Sequence, residues 1–132
     1  MATNGNGKHA REAVILSSAR TPQGKYLGGL SSMTAAELGQ VAFGEAVKRS
    51  EVNAENINEV LVGNVVSAGV GQALPRQISI GAGLPDTVGG AAVNKVCGSG
   101  LKTIMLAASS IKAEDGDLYL AGGVESMSRT PY

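Results

Sequence analysis

The sequence predicts an α/β domain in which helices cover both faces of a mostly parallel sheet. Short apolar runs of roughly four to six residues alternate along the chain with segments whose apolar residues recur at helical spacing. The 132 residues include 19 glycines and only 3% aromatic residues, which favours elements packed closely over small side chains. Strands that are joined through helices run parallel and are buried on both faces. The alternation therefore predicts one doubly covered sheet.

The first half of the chain contains two predicted strands with a helix between them. The continuous apolar run Ala13–Leu16 is typical of a strand that is buried on both faces. A Gly-rich loop follows, and Thr34 with Glu37 three residues later forms a capping box. The apolar residues after it recur at helical spacing and predict a helix to about Arg49. A polar turn then leads into the second predicted strand, Val60–Val65.

The second half of the chain continues the alternation. Pro75 suits the first turn of a helix, which Gly83 and Pro85 end. The remaining predicted elements are a strand at 91–96, a helix whose apolar residues run from 101 to 111, and a strand at 118–121 that two glycines end. Seven elements in the order strand, helix, strand, helix, strand, helix, strand complete the predicted fold.

Composition excludes several classes of function. Eleven basic residues balance eleven acidic ones, which argues against nucleic acid or a membrane surface as a partner. The absence of net charge also favours association, so a homo-oligomer is expected. A single cysteine forms no internal disulfide and suggests no metal site, and it fits a reducing, cytoplasmic compartment. Residues 1–12 are predicted to be a flexible polar arm without a secretory signal.

Cys97 is the candidate catalytic residue. It lies in Asn94–Gly100, between the third predicted strand and the third predicted helix, where sites form in open α/β sheets. The helix dipole and free backbone N–H groups favour a thiolate there and can hold the oxyanion of a thioester. Gly98 and Gly100 let the backbone turn sharply and let another molecule approach the sulfur. These residues alone are equally compatible with a small buried cysteine that performs no chemistry.

The segment Asn94–Gly100 resembles the nucleophile motif of thiolases. Further matches follow in the order of that family, so the resemblance covers essentially all of residues 13–132. These matches are residues 19–24, 63–65, 71–73, 76–77, 81–85 and 122–128. The form Lys95-Val96-Cys97 is most similar to that of acetoacetyl-CoA thiolases.

The resemblance implies an acyltransferase in which Cys97 takes an acetyl group as a thioester. Such enzymes condense two acetyl-CoA molecules to acetoacetyl-CoA or run the reverse thiolysis, with coenzyme A thioesters as substrates and no permanently bound cofactor. The family supplies a histidine, a second cysteine and an asparagine from later in the subunit. Here the only histidine is His9, in the predicted arm.

The resemblance also implies that residues 13–132 are a partial N-terminal thiolase α/β domain that lacks its last strand. We therefore expect the chain alone to be inactive and to need a complementing C-terminal thiolase segment. Asn94 and Glu125 are expected to be buried polar residues that fix the cysteine loop. Two other interpretations stay open, a non-catalytic thiolase-derived interaction protein and a thiol-reactive redox protein.

Overall fold

The computed structural model describes residues 11–131, so most of the predicted arm, including His9, lies outside the described residues. It contains a three-stranded parallel sheet with helices on both faces, which confirms the predicted fold class. The strands are β1 (Glu59–Gly63), β2 (Gly89–Val93) and β3 (Tyr119–Gly123). The helices are α1 (Ala35–Ser50), α2 (Leu74–Gly81) and α3 (Ser99–Lys112). Short 3-10 turns span Ala54–Asn56 and Met127–Arg129.

The register of the sheet brings the carboxyl ends of all three strands to one edge. β1 is the central strand, and the order across the sheet is β2-β1-β3. Gly63, the last residue of β1, lies opposite Val93 of β2 and Gly123 of β3. Residues that directly follow the three strands therefore meet at the same edge.

The hydrophobic core lies between the sheet and the pair α1 and α2. Its centre is formed by Val60 and Val62 of β1 and by Ile78 of α2, each with no exposed surface. α3 packs against β1 and β3 on the other face. Neighbouring residues of β3 face opposite sides of the sheet. Gly122 lies against Phe43 of α1 on one face, and Gly123 lies against the start of α3 on the other.

The first predicted strand is wrong. Residues 13–16 form no strand in the structure, and the side chains of Val14, Ile15 and Leu16 are 69%, 77% and 57% exposed. The segment that follows is held to α1 instead, where Ser17 Oγ donates to the carbonyl oxygen of Ala46 at 2.6 Å. An apolar run becomes a strand only where a neighbouring backbone supplies hydrogen bonds, and none lies beside this one among the described residues.

A cleft of about 1130 Å³ separates this N-terminal segment from β3. Residues 11–26 line one side and residues 117–128 the other, with apolar side chains of α1 and α3 above and below. Two contacts join the sides of the cleft. Arg11 binds the carboxylate of Asp117, and the backbone N–H of Leu27 donates to Ser128 Oγ at 2.9 Å. The cleft, called the slot below, therefore lies along β3, which has β1 on its other side.

The three observed strands all have different ends from those predicted. β1 ends at Gly63 rather than at Val65, because Val65 N and Val66 N donate to the carboxylate of Glu125 instead of to a neighbouring strand. β2 ends at Val93 rather than at residue 96, because Asn94 already binds its own loop through its side chain. β3 includes Gly122 and Gly123, which were expected to end it. Both glycines sit where a helix approaches the sheet closely, so they serve packing rather than termination.

The capping box predicted for α1 is present in full. Glu37 N donates to Thr34 Oγ1 at 3.1 Å, and Thr34 N donates to Glu37 Oε2 at 2.7 Å. The backbone N–H of Thr34, and then its hydroxyl, lower the pKa of Glu37 below its usual value of 4.5.

We expect Thr34→Ala to lower the free energy of unfolding by about 1 kcal/mol at neutral pH, because a helix N-terminus loses its cap. The contribution of Glu37 is present above pH 4.5 and is lost as the pH falls through its lowered folded pKa. The difference between the proteins should therefore shrink in acid. Urea unfolding of wild type and variant from pH 7 to pH 3, followed by circular dichroism, measures it. A constant difference across that range would contradict this account.

Candidate functional site

Cys97 lies between the end of β2 and the start of α3, as predicted. Val93 ends the strand, Gly98 is the N-cap of the helix, and Ser99 is its first residue. The thiol is exposed, so the interpretation as a small buried hydrophobe does not describe this cysteine. The site therefore presents a free thiol at the carboxyl edge of a parallel sheet, directly before a helix of 14 residues.

Glycines seat the first turn of α3 directly on the strand ends. A Cβ atom on Gly63 would lie 2.5 Å from the carbonyl carbon of Ser99 and 2.6 Å from the nitrogen of Gly100. A Cβ atom on Gly123 would lie 3.0 Å from the Cα atom of Gly100. Backbone therefore packs against backbone here, and this close approach fixes where the helix begins relative to Cys97.

The sharp turn before Cys97 is made by Val96 and not by a glycine. Val96 has a φ of 47°, in the left-handed region that a β-branched residue rarely adopts. Gly98 has an ordinary φ of −92°, so the turn does not require its freedom. The left-handed conformation is held from both sides, because Asn94 Oδ1 accepts from Val96 N at 3.1 Å and Ser99 Oγ donates to Val96 O at 2.6 Å.

Glu125 holds the segment that follows β1. Its two carboxylate oxygens accept hydrogen bonds from the side-chain amide of Asn64 at 2.9 Å, from Val65 N at 3.0 Å and from Val66 N at 2.9 Å. Hydrogen bonds to an ionised acceptor are roughly twice as strong as neutral ones. The carboxylate therefore ties the end of β3 firmly to the end of β1.

The two polar residues predicted to fix the cysteine loop do make hydrogen bonds at this edge, but they are not buried. Asn94 is exposed and Glu125 is half-buried. Among the buried polar residues that the structure describes, Asn64 and Ser99 hydrogen-bond to this loop or to Glu125, at 7% and 4% exposure, and sequence reasoning gave neither of them a role. Asn64 was placed inside the predicted strand Val60–Val65, and only the earlier end of β1 at Gly63 puts it at the edge of the sheet.

The arrangement is suited to nucleophilic chemistry at sulfur. Free N–H groups at a helix N-terminus favour a nearby anion, such as the oxyanion that forms when a thiol attacks a carbonyl carbon. The exposed position of Cys97 leaves room for a large acyl donor to approach. A proton acceptor is also needed for such a reaction, and the sequence has a single histidine, His9, outside the described residues.

Within residues 11–131, no helix is long and apolar enough to cross a membrane.

Comparison with known proteins gives a consistent result over almost the whole chain. Residues 13–132 match the family described as the N-terminal domain of thiolase. A cytosolic acetyl-CoA acetyltransferase from Gibberella zeae is 54% identical over 118 residues, which cover 89% of this chain and 30% of that protein. A mitochondrial acetyl-CoA acetyltransferase from Danio rerio is 46% identical over 92% of this chain and 29% of its own length.

Solved structures agree with the sequence relatives. The crystal structure of the Acat5 thiolase from Ascaris suum in complex with coenzyme A superposes with a TM-score of 0.89 at 41% identity. The match covers 92% of this chain and 32% of that structure. The chain thus spans about a third of the length of the relatives it matches.

Proposed function

The chain belongs to the thiolase family, and from that premise we propose that it carries the nucleophile of a thiolase-type acyltransferase. Cys97 accepts an acetyl group from acetyl-CoA as a thioester. In the complete enzyme a second acetyl-CoA attacks that thioester and gives acetoacetyl-CoA, or coenzyme A drives the reverse thiolysis. The sulfur forms one bond to the acyl carbon, the bond from that carbon to coenzyme A breaks, and the thiol proton leaves with coenzyme A as its thiol. In the condensation, the α-carbon of the second acetyl-CoA loses a proton to a base and bonds to that acyl carbon, and the bond from the acyl carbon to the sulfur of Cys97 breaks. Residues 13–132 act as a partial N-terminal thiolase domain.

The position of Cys97 is the single observation that supports this proposal best. Its thiol is exposed, at the carboxyl edge of a parallel sheet and next to the N-terminus of α3. Ligands bind beyond the carboxyl ends of strands in open α/β sheets. The relatives named as acetyl-CoA acetyltransferases, and the coenzyme A complex of the Ascaris suum thiolase, point to coenzyme A thioesters as the substrates. No permanently bound cofactor is proposed.

The reaction needs groups beyond those in this chain. The relatives are about three times as long as this chain. Condensation requires a general base, which is most often a histidine, and residues 11–131 contain no histidine. We therefore propose that a complementing C-terminal thiolase segment supplies the base and the remaining substrate contacts. The isolated chain is then acylated at most and does not turn over.

The cleft beside β3 supports the same partner. β3 has a neighbouring strand on one side only within the described residues, and unpaired strand edges bind further strands. The slot lies between this edge and residues 13–16, whose apolar side chains are exposed. We propose that the complementing segment adds a strand here, at the usual spacing of about 4.8 Å, and so gives residues 13–16 the backbone partner that they lack.

Compartment and assembly belong to the same proposal. A cytoplasmic location is favoured by the similarity to a cytosolic relative, although mitochondrial relatives are also similar. A homo-oligomer is proposed from the zero net charge of the chain. Size-exclusion chromatography with light scattering, with and without the complementing segment, distinguishes a homo-oligomer from a complex of the two pieces.

The function is tested by incubating the purified chain with acetyl-CoA and mapping acetylated peptides by mass spectrometry. The complementing segment is the remainder of the Gibberella zeae relative, beyond the matched region. We expect acetyl on Cys97 of the folded chain and none on Cys97→Ser. Acetoacetyl-CoA is expected only when the segment is added. Amide exchange in β3 should slow at the same time, because the added strand protects its free edge.

The urea-unfolded chain is the control for uncatalysed thioester exchange, and it should label much more slowly than the folded chain. Absence of label on Cys97, alone and with the segment, would overturn the proposal. Modification of Cys97 by peroxide but not by acetyl-CoA would favour the redox protein instead. Synthesis of acetoacetyl-CoA by the pure chain would contradict the proposed need for a partner.

A further inference from the structure

Each of the three parallel strands is followed by a residue with a carboxylate or amide side chain. Asn94 comes directly after β2, Asn64 comes directly after β1, and Glu125 comes two residues after β3. Because the strands end in register, these side chains meet along one edge of the sheet. Their hydrogen bonds run without a break from Glu125, through the residues that follow β1, to Asn94. Asn94 in turn binds Val96, the residue before Cys97.

The first link of this set joins β3 to β1. Glu125 accepts from the backbone N–H groups of Val65 and Val66 and from the side chain of Asn64, at 2.9 to 3.0 Å. Asn64 is 7% exposed and also donates to the carbonyl oxygen of Val124 at 3.1 Å. Residues 64–66 are therefore held by charge-assisted hydrogen bonds on one side.

The second link joins β1 to the cysteine loop. The side-chain amide of Asn94 donates to the carbonyl oxygen of Val65 at 3.4 Å, and its oxygen accepts from Val96 N at 3.1 Å. The same asparagine thus binds the segment that Glu125 holds and the residue that precedes the nucleophile. Val96 stays at a φ of 47° only while its surroundings impose that conformation.

We propose that Glu125 and Asn94 are positioning residues for Cys97. Glu125 fixes Val65, Val65 orients Asn94, and Asn94 holds Val96 in the left-handed turn that directs the thiol. Neither residue touches the reacting atoms. The proposal rests on the proposed function, because it concerns the same thiol, and it assigns to the end of β3 a role in setting the geometry of a nucleophile in the loop between β2 and α3.

A purely structural role for Glu125 is the alternative, and the chain offers a matched control for it. Asn58 Oδ1 accepts from the backbone N–H groups of Asp117 and Leu118 at 2.8 and 3.0 Å. It therefore ties β1 to β3 as Glu125 does, but at the amino end of the strands, away from Cys97. Asn58→Ala should destabilise the fold without changing the thiol.

The test compares wild type, Glu125→Gln, Asn94→Ala and Asn58→Ala as the full chain under folding conditions. Two rates are measured, alkylation of Cys97 by iodoacetamide and its acetylation by acetyl-CoA, with the urea unfolding midpoint as the stability measure. We expect Glu125→Gln and Asn94→Ala to slow both rates by about 10-fold, since small misplacements of a reacting group cost this much or more. Asn58→Ala should keep the wild-type rates at a lowered unfolding midpoint.

A double variant tests the step through Val96. Glycine adopts positive φ without strain, so Asn94→Ala with Val96→Gly should recover most of the lost alkylation rate. Wild-type rates in Glu125→Gln and Asn94→Ala would overturn the proposal, as would equal slowing by Asn58→Ala or failure of the Val96→Gly rescue. If the alkylation pattern is as expected but wild type takes no acetyl group, the positioning stands and the proposed function fails.

Discussion

Replacing Gly63 with alanine is expected to lower the free energy of unfolding by about 1–3 kcal/mol, the usual cost of forcing atoms into a packed interior. The added Cβ atom would lie 2.5 to 2.8 Å from the backbone of Ser99 and Gly100. Rotation of a side chain cannot relieve a contact with backbone, so either β1 or the first turn of α3 must move. Urea unfolding followed by circular dichroism measures the loss.

The same substitution should slow acetylation of Cys97, because α3 begins two residues after the cysteine. Gly89→Ala is the matched control. Gly89 also lies in a strand, and a Cβ atom there meets nothing within 4 Å. We expect that variant to be at least as stable as wild type. Equal stability of Gly63→Ala and Gly89→Ala would show that α3 does not depend on this close approach.

Ile78→Ala is expected to lower the free energy of unfolding by about 2–5 kcal/mol, the range observed for removal of large aliphatic side chains from cores. Ile78 has no exposed surface and belongs to the cluster that joins α2 to Val60 and Val62 of β1. It also fills the space over Gly39 of α1, where a Cβ atom would lie 2.4 Å from Ile78 Cδ1. Alanine would leave a cavity between both helices and the sheet.

Ile80→Ala is the control on the same helix. Its side chain is 48% exposed, so the loss of stability should be well below that of Ile78→Ala. Thermal unfolding of the two variants beside wild type measures the difference. Comparable losses at the two positions would mean that α2 is not anchored through Ile78.

The helices could be predicted from the sequence because their signals are local. The capping box at Thr34 and the prolines and glycines around α2 act within a few residues. The prediction for residues 13–16 failed for the opposite reason. An apolar run shows that a segment avoids water, but strand formation also needs a backbone partner from a distant part of the chain, and none lies beside residues 13–16 among the described residues. Only the folded arrangement reveals the cleft that separates this segment from β3.

Some features of the candidate site could likewise be predicted from the sequence, and others could not. The place of Cys97 between a strand and a helix followed from sequence patterns, and the ordered motifs identified the thiolase resemblance. The left-handed turn at Val96 did not follow from them, since the neighbouring glycines were the obvious residues for a sharp turn. The interaction of Glu125 with Val65 joins residues 60 positions apart, and no periodicity encodes such a pair.

What the sequence determined by itself is the order of the three helices and of β1, β2 and β3, the approximate helix ends and the place of Cys97 between a strand and a helix, because each depends on neighbouring residues. What only the tertiary structure decided is which segments become strands, which glycines carry the packing and how Cys97 is held. Those features depend on atoms brought together from distant parts of the chain. Parallel pairing in register places Asn64, Asn94 and Glu125 at one edge of the sheet. Their hydrogen bonds hold the loop that carries Cys97.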